Sequence, residues 1–147
     1  MTTTSFFVPG TPAPQGSKRY LGNGRMVESS KRVKPWRADI RAQALQTFKQ
    51  PLTGAIRLDL HFVMPRPNSH YGTGRNAHKL KESAPASHIQ KPDLDKLVRA
   101  VGDALTGVAY VDDSQVVGGA HMKRWTDGAS DRAGVYVTVV PLEEKAA

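Results

Sequence analysis

The sequence predicts an α+β fold, a small mixed β-sheet with two main helices packed on it, and three observations carry that expectation. Two runs, 55–64 and 133–140, alternate apolar and polar residues at the strand period. Two others, about 35–49 and 91–105, repeat apolar residues at helical spacing. The 147 residues fit one compact domain, 1–147, with a basic flexible loop expected at about 65–91.

Each element follows from local chemistry. Phe6-Phe7-Val8 is a short apolar run ended by Pro9-Gly10, the first strand. Thr11 to Gly24 contains Pro12, Pro14, Gly16, Gly22 and Gly24 and reads as an irregular loop. Its Lys18, Arg19, Tyr20 and the following Arg25 suit phosphate contact and base stacking, or an ordinary solvated loop. A helix is expected from Pro35 to Lys49: proline suits a first helical turn, and Ile40, Ala44, Leu45 and Phe48 recur on one side. Arg37, Arg41 and Lys49 take the other side, and Pro51 stops the helix. In Ala55–Met64, Ile56, Leu58, Leu60 and Phe62 face one way and Arg57, Asp59 and His61 the other. His61 is then an exposed strand residue rather than a ligand.

Pro65 to Lys91 shows no periodicity, which in a compact domain marks a functional or disordered segment. It carries Arg66, Arg75, Lys79 and Lys81 with His70, His78 and His88. Gly72-Thr-Gly74 lacks the third glycine and the strand-to-helix turn of a dinucleotide or phosphate loop. The histidines have no metal-ligand spacing, so a basic arm is expected. In the second helix Leu94, Leu97, Val98, Val101 and Leu105 form one apolar stripe, closed by Gly107. Strands at 116–125 and 133–140 are expected to pair as a hairpin. Trp125 is expected as a core anchor, although it and its neighbours Lys123 and Arg124 could also touch DNA. Glu143–Ala147 is a polar tail.

Charge narrows the function. Lys and Arg total 21 against 13 Asp and Glu, a formal +8 with a pI near 10.0. Residues 1–50 hold nine basic and two acidic residues, whereas 93–147 hold six and nine. A basic chain with its acids gathered in one half suggests a polyanion-binding surface around an acidic centre. The chain has no cysteine, which excludes disulfides, thiolate metal sites and Cys nucleophiles. It also lacks a signal peptide and an apolar run long enough to span a bilayer, so a soluble cytoplasmic protein with no membrane partner is expected.

Asp93 and Asp95 open the second helix, where unpaired N–H groups favour carboxylates. In the plainest reading Asp93 caps the helix and Arg99 pairs with Asp95 and Asp103. If the chain after Gly107 returns along that helix, Asp112-Asp113 joins them. Like charges held that close need a proton or a cation, and oxygen ligands with no thiolate suit Mg²⁺ or Mn²⁺. Such an ion would polarise a phosphodiester, with Lys96 or Arg99 holding the phosphate. The residues by themselves leave both readings open, helix caps with ion pairs or a metal-dependent nuclease, and lead no further.

Lys91-Pro-Asp93-Leu-Asp95, Asp103-Ala-Leu-Thr-Gly107 and Asp112-Asp113-Ser-Gln-Val-Val together resemble the signature of the RusA family of Holliday junction resolvases. The opening Val8-Pro-Gly10-Thr-Pro12-Ala-Pro14, followed by Lys18-Arg19, resembles that family's start. The resemblance implies a homodimeric Mg²⁺-dependent endonuclease, with Mn²⁺ as a substitute, that nicks two opposing strands of four-way junction DNA during recombination and repair. It maps the family's essential aspartates onto Asp93, Asp95 and Asp113, with Asp112 as a further candidate ligand. Arg99 stands where the family commonly has Lys, which keeps the charge but replaces a point charge by a wider fork. Lys96 stands where the family commonly has Asn. Lys18, Arg19, Lys96, Arg99, Arg75 and Lys79 are the expected DNA contacts. Two rivals remain at this point. One is a branched-DNA-binding protein without catalysis, its aspartates serving as caps. The other is a restriction-type nuclease built on Pro92-Asp93 with Glu143-Glu144-Lys145.

Overall fold

The computed structural model describes residues 2–142 except 17, 29, 30 and 129, and for 18, 19 and 25–28 it describes the backbone alone. The elements run β1 (Thr4–Pro9), β2 (Lys18–Gly22), β3 (Arg25–Glu28), α1 (Val33–Thr47), β4 (Ile56–Met64), α2 (Leu94–Leu105), β5 (Val116–Gly118), β6 (His121–Trp125) and β7 (Gly134–Pro141). The expected α+β architecture is present, with a mixed five-stranded sheet and two main helices.

The sheet runs β1-β7-β4, antiparallel throughout, and β5 and β6 both lie parallel to the far edge of β4. The alternation in β4 puts Ile56, Leu58, Leu60 and Phe62 on one buried face, and Val135, Val137 and Val139 of β7 join them there. Both helices add to this core: Trp36, Ile40 and Ala44 from α1, and Leu97, Val101 and Leu105 from α2. Each such leucine contributes about 2 kcal/mol by leaving water. That stripe therefore sets the rotation of α2 and turns Asp95, Arg99 and Asp103 outward, all three exposed.

Three expectations change. First, the 11–24 loop contains β2 and the start of a hairpin, closed by Asn23-Gly24 with φ of 52° and 73°. Positive φ at both central residues is the requirement of the two-residue turn that suits strand twist, and Asn-Gly meets it. Second, 116–125 and 133–140 form no hairpin: β7 is held between β1 and β4, and the earlier segment adds to the other side of β4. It does so in two pieces because the chain passes β4 closely at Gly119, where a Cβ would stand 1.8 Å from the Leu58 carbonyl oxygen. Third, the 65–91 arm carries internal structure, with single 3₁₀ turns at 68–70 and 74–76 and a bridge between Tyr71 and Leu80. It folds back on Trp125, the expected core anchor, which is 4% exposed. No helix is long and apolar enough to cross a membrane among the described residues. The 143–147 tail, and with it the Glu143-Glu144-Lys145 rival, lies outside them.

Candidate active site around helix α2

The start of α2 is held from two sides, by Lys123 of β6 and by Gln15 of the Gly/Pro loop. Asp93 is the N-cap residue in extended conformation, yet its carboxylate accepts no capping hydrogen bond. It lies 3.9 Å from Lys96 Nζ across a largely exposed gap. Asp95, in the first turn, makes no hydrogen bond or ion pair with any described residue. Neither of the ion pairs expected of Arg99, with Asp95 and with Asp103, is among those formed between described residues. From β6, Lys123 Nζ donates to the carbonyls of Gln90 at 2.8 Å and Pro92 at 2.9 Å. Burial pushes this ammonium below the usual lysine value, and the charge of Asp93 opposes the shift. Lys123 thus fixes the chain just before Asp93 instead of facing solvent.

The Gly/Pro loop lies along the outward face of α2. Gln15 N donates to the Lys96 carbonyl at 3.0 Å, and its side-chain amide reaches Asp103 Oδ2 at 3.3 Å. Arg37 of α1 donates to Gln15 Oε1 and lies 3.4 Å from Asp103 Oδ2. Gly16 follows with φ of +96°, and a Cβ there would meet Arg99 Nη1 at 2.6 Å. Only glycine combines that backbone with so close an approach to the guanidinium. The loop therefore passes Lys96 and Arg99 closely at Gln15 and Gly16. The side chains of Lys18 and Arg19 are outside the described set.

Asp113 belongs to the other end of the helix. A single 3₁₀ turn over 113–115 is capped by Asp112, whose Oδ1 accepts from Ser114 N at 3.0 Å, while Gln115 Oε1 accepts from Asp112 N at 2.8 Å. Gln115 also donates to the carbonyls of Leu52 and Gly54, both at 2.9 Å, pinning the turn to the body. Thr106 Oγ1 stands 2.6 Å from Asp113 Oδ1 and 2.8 Å from the Gly102 carbonyl, the two acceptors for its one proton. Beneath them the buried Tyr110 hydroxyl donates to the same carbonyl at 3.3 Å. Burial first, and the Asp113 charge second, push that phenol up to about 12.

The chain thus returns to the last turn of α2, not to its first. Seven residues at 1.5 Å place Asp95 about 10 Å before Gly102 along the helix. Positions 95, 99, 102 and 106 share one face, so Asp95, Arg99 and Asp113 form a line and not a cluster. Among the described residues no three His, Asp or Glu side chains gather closely enough to hold a metal ion. Asp93 and Asp95 still have the right chemistry for a hard cation: exposed oxygen donors that the helix start does not consume. Magnesium is commonly held by one or two carboxylates together with waters and substrate phosphate oxygens. Arg75 and Lys79 are exposed on the 65–91 arm, away from any ion pair among the described residues.

Other site details had no sequence signal. The Lys123 anchor and the Gln15–Arg37–Asp103 link join residues far apart in the chain, and nothing in their local patterns foretells the contact. Arg124 is likewise committed, to Asp131 at 2.5 Å and to His61 at 3.0 Å, which leaves His61 half-buried and engaged.

The family model described as endodeoxyribonuclease RusA matches residues 9–140, a stretch that contains every aspartate discussed above. The uncharacterized protein YqaN of Bacillus subtilis (strain 168) is 34% identical over 125 residues, covering 80% of this chain and 84% of that protein. With the fold, the basic surface and the order of the aspartates already consistent with it, the matched length makes the conclusion plain: the chain belongs to the RusA endodeoxyribonuclease family.

Proposed function

We propose that the protein is a Mg²⁺-dependent, structure-specific endodeoxyribonuclease that resolves four-way DNA junctions by paired nicks in opposing strands, acting as a homodimer. The observation that carries this reading is the start of α2, where two exposed carboxylates not consumed by the helix stand beside Lys96 and the basic loop. Asp93 and Asp95 would hold the ion, which when bound supplies charge neutralisation at the scissile phosphate and a more acidic water. Lys96 and Arg99 would bind the flanking phosphates, Arg99 as a fork that fixes their orientation. Lys18, Arg19, Arg75 and Lys79 would extend the track, making affinity strongly salt-dependent. Two-fold symmetry in the dimer would match that of the junction and put one site on each of two strands. Asp113, with Asp112 beside it, would reach the ion only in the DNA-bound homodimer, because one chain by itself holds it too far along the helix.

The test is cleavage of a labelled synthetic four-way junction and of a linear duplex, in Mg²⁺ or EDTA, by the wild type and by Asp95→Asn. The reading expects symmetric nicks on the junction, lost in EDTA and in the variant, with junction binding retained in both. Binding without nicks by the wild type in Mg²⁺ would leave a junction-binding protein whose aspartates serve the helix.

A further inference from the structure

A cavity of about 550 Å³ opens beside the first turn of α2, between the 11–14 loop, the end of β4 and the 88–92 segment. That volume falls in the range of preformed small-ligand sites. Five of its lining residues are prolines: Pro12, Pro14, Pro65, Pro67 and Pro92. Proline contributes an apolar ring and no N–H donor, so these walls suit a flat, largely apolar group. Trp125 and His88 also line it, packed with ring centroids 4.4 Å apart. Both are at least nine-tenths buried, and each keeps a ring nitrogen, Trp125 Nε1 and His88 Nδ1, with no hydrogen-bond partner among the described residues. The Trp125 wall is rigid, since His70 meets its ring edge-on at 5.0 Å and the Arg66 guanidinium lies 5.2 Å from its centre. At the rim stand Asp93 and Lys96, with Lys91 and Arg32 adding positive charge.

The cavity is therefore apolar inside, cationic at its mouth, and shares two residues with the proposed cleavage site. A DNA strand whose phosphates lie at Lys96 carries one kind of group that fits such a cavity, a base: flat-faced, mostly apolar, with polar atoms at its edge. In a continuous duplex both faces of every base are covered by neighbours. At a branch point that stacking is already weakened, so withdrawing a base costs least there. We infer that the cavity lined by Pro12, Pro67, Met64 and Trp125 takes a single unstacked nucleobase of the strand bound at Asp93 and Lys96, next to the phosphate to be cut. The inference rests on the nuclease reading above and adds to it a physical source of selectivity for branched DNA.

The test combines a lesion in the DNA with a plug in the protein. Four-way junctions lacking a single base at successive positions around the cut are titrated in EDTA with the wild type and with two pocket-filling variants, Pro67→Trp and Thr11→Trp. These replace lining residues on two different segments of the cavity wall, and their folding is checked by thermal unfolding. At one position, the missing base should cost the wild type about tenfold in affinity. The same lesion should cost a folded filled variant almost nothing, because the filled cavity no longer uses that base. Equal losses in the wild type and the variants would overturn the inference. So would the absence of any sensitive position in a wild type that still nicks junctions in Mg²⁺. A wild type that neither binds nor nicks junctions would instead overturn the nuclease reading, and the base pocket with it.

Discussion

The two ends of α2 carry the same side-chain chemistry in opposite circumstances. At the first turn, Asp93 and Asp95 are exposed, and the helix start takes no capping bond from Asp93. At the last turn, Asp113 meets the Thr106 hydroxyl, Asp112 caps the next turn, and Asp103 is shared between Gln15 and Arg37. Carboxylates that already accept hydrogen bonds from the protein stabilise the fold; those that accept none remain available to a cation or a substrate. The contrast separates an end of the helix whose carboxylates accept no hydrogen bond from the described residues from an end whose carboxylates are engaged, although both contain an aspartate implied by the family.

Substitution at each end tests that contrast. The largest effect is expected from Asp95→Asn, which should slow nicking on the order of a thousandfold by removing ligand charge at the ion. Junction affinity in EDTA and the melting temperature should hardly change. A small rate effect would remove Asp95 from the chemistry. Asp113→Asn comes next, with a loss of about a hundredfold or more if the DNA-bound dimer unites the two ends. Single-turnover nicking measures it, and a near-normal rate would confine the ion to the first turn. The amide can still accept from Thr106, so this variant leaves the structural role largely intact.

Stability should show the complementary pattern. An unfolded tyrosine ionises near 10, whereas native Tyr110 holds its proton to about 12. From pH 10 upward the unfolded chain therefore binds fewer protons than the native one, and stability falls as pH rises. The loss approaches about 2–3 kcal/mol by pH 12. Comparing urea unfolding of wild type and Tyr110→Phe across that range isolates this contribution, and equal pH slopes would contradict it. The smallest effect is expected from Thr106→Val, which deletes the hydroxyl at Asp113 and should cost about 1 kcal/mol in the same assay. Nicking by this variant should fall far less than in Asp113→Asn.

Legibility in the sequence differed by element. The alternation of β4 and the leucine stripe of α2 were readable because each follows from a local period and one buried face. The β2–β3 hairpin was readable too: Asn23-Gly24 is its turn signal, but the surrounding glycines and prolines pointed to a loop. The pairing of β7 was not readable. Alternation says that a strand has a buried face but not which neighbours it will have, and β7 found β1 and β4 by shared burial rather than by nearness in the chain. The Pro-lined cavity was equally hidden, since its lining comes from five separate segments.

The sequence by itself determined the α+β class, the outward face of α2, the basic surface and the aspartates with their spacing. These depend on residue identity and on periods of two to four residues. Tertiary structure alone decided that Asp113 lies at the last turn of α2, that Lys123 anchors the chain before Asp93, and that Trp125 lines a cavity at the site. Each is a contact between residues far apart in the chain, selected by packing the whole core at once, and no local pattern encodes it.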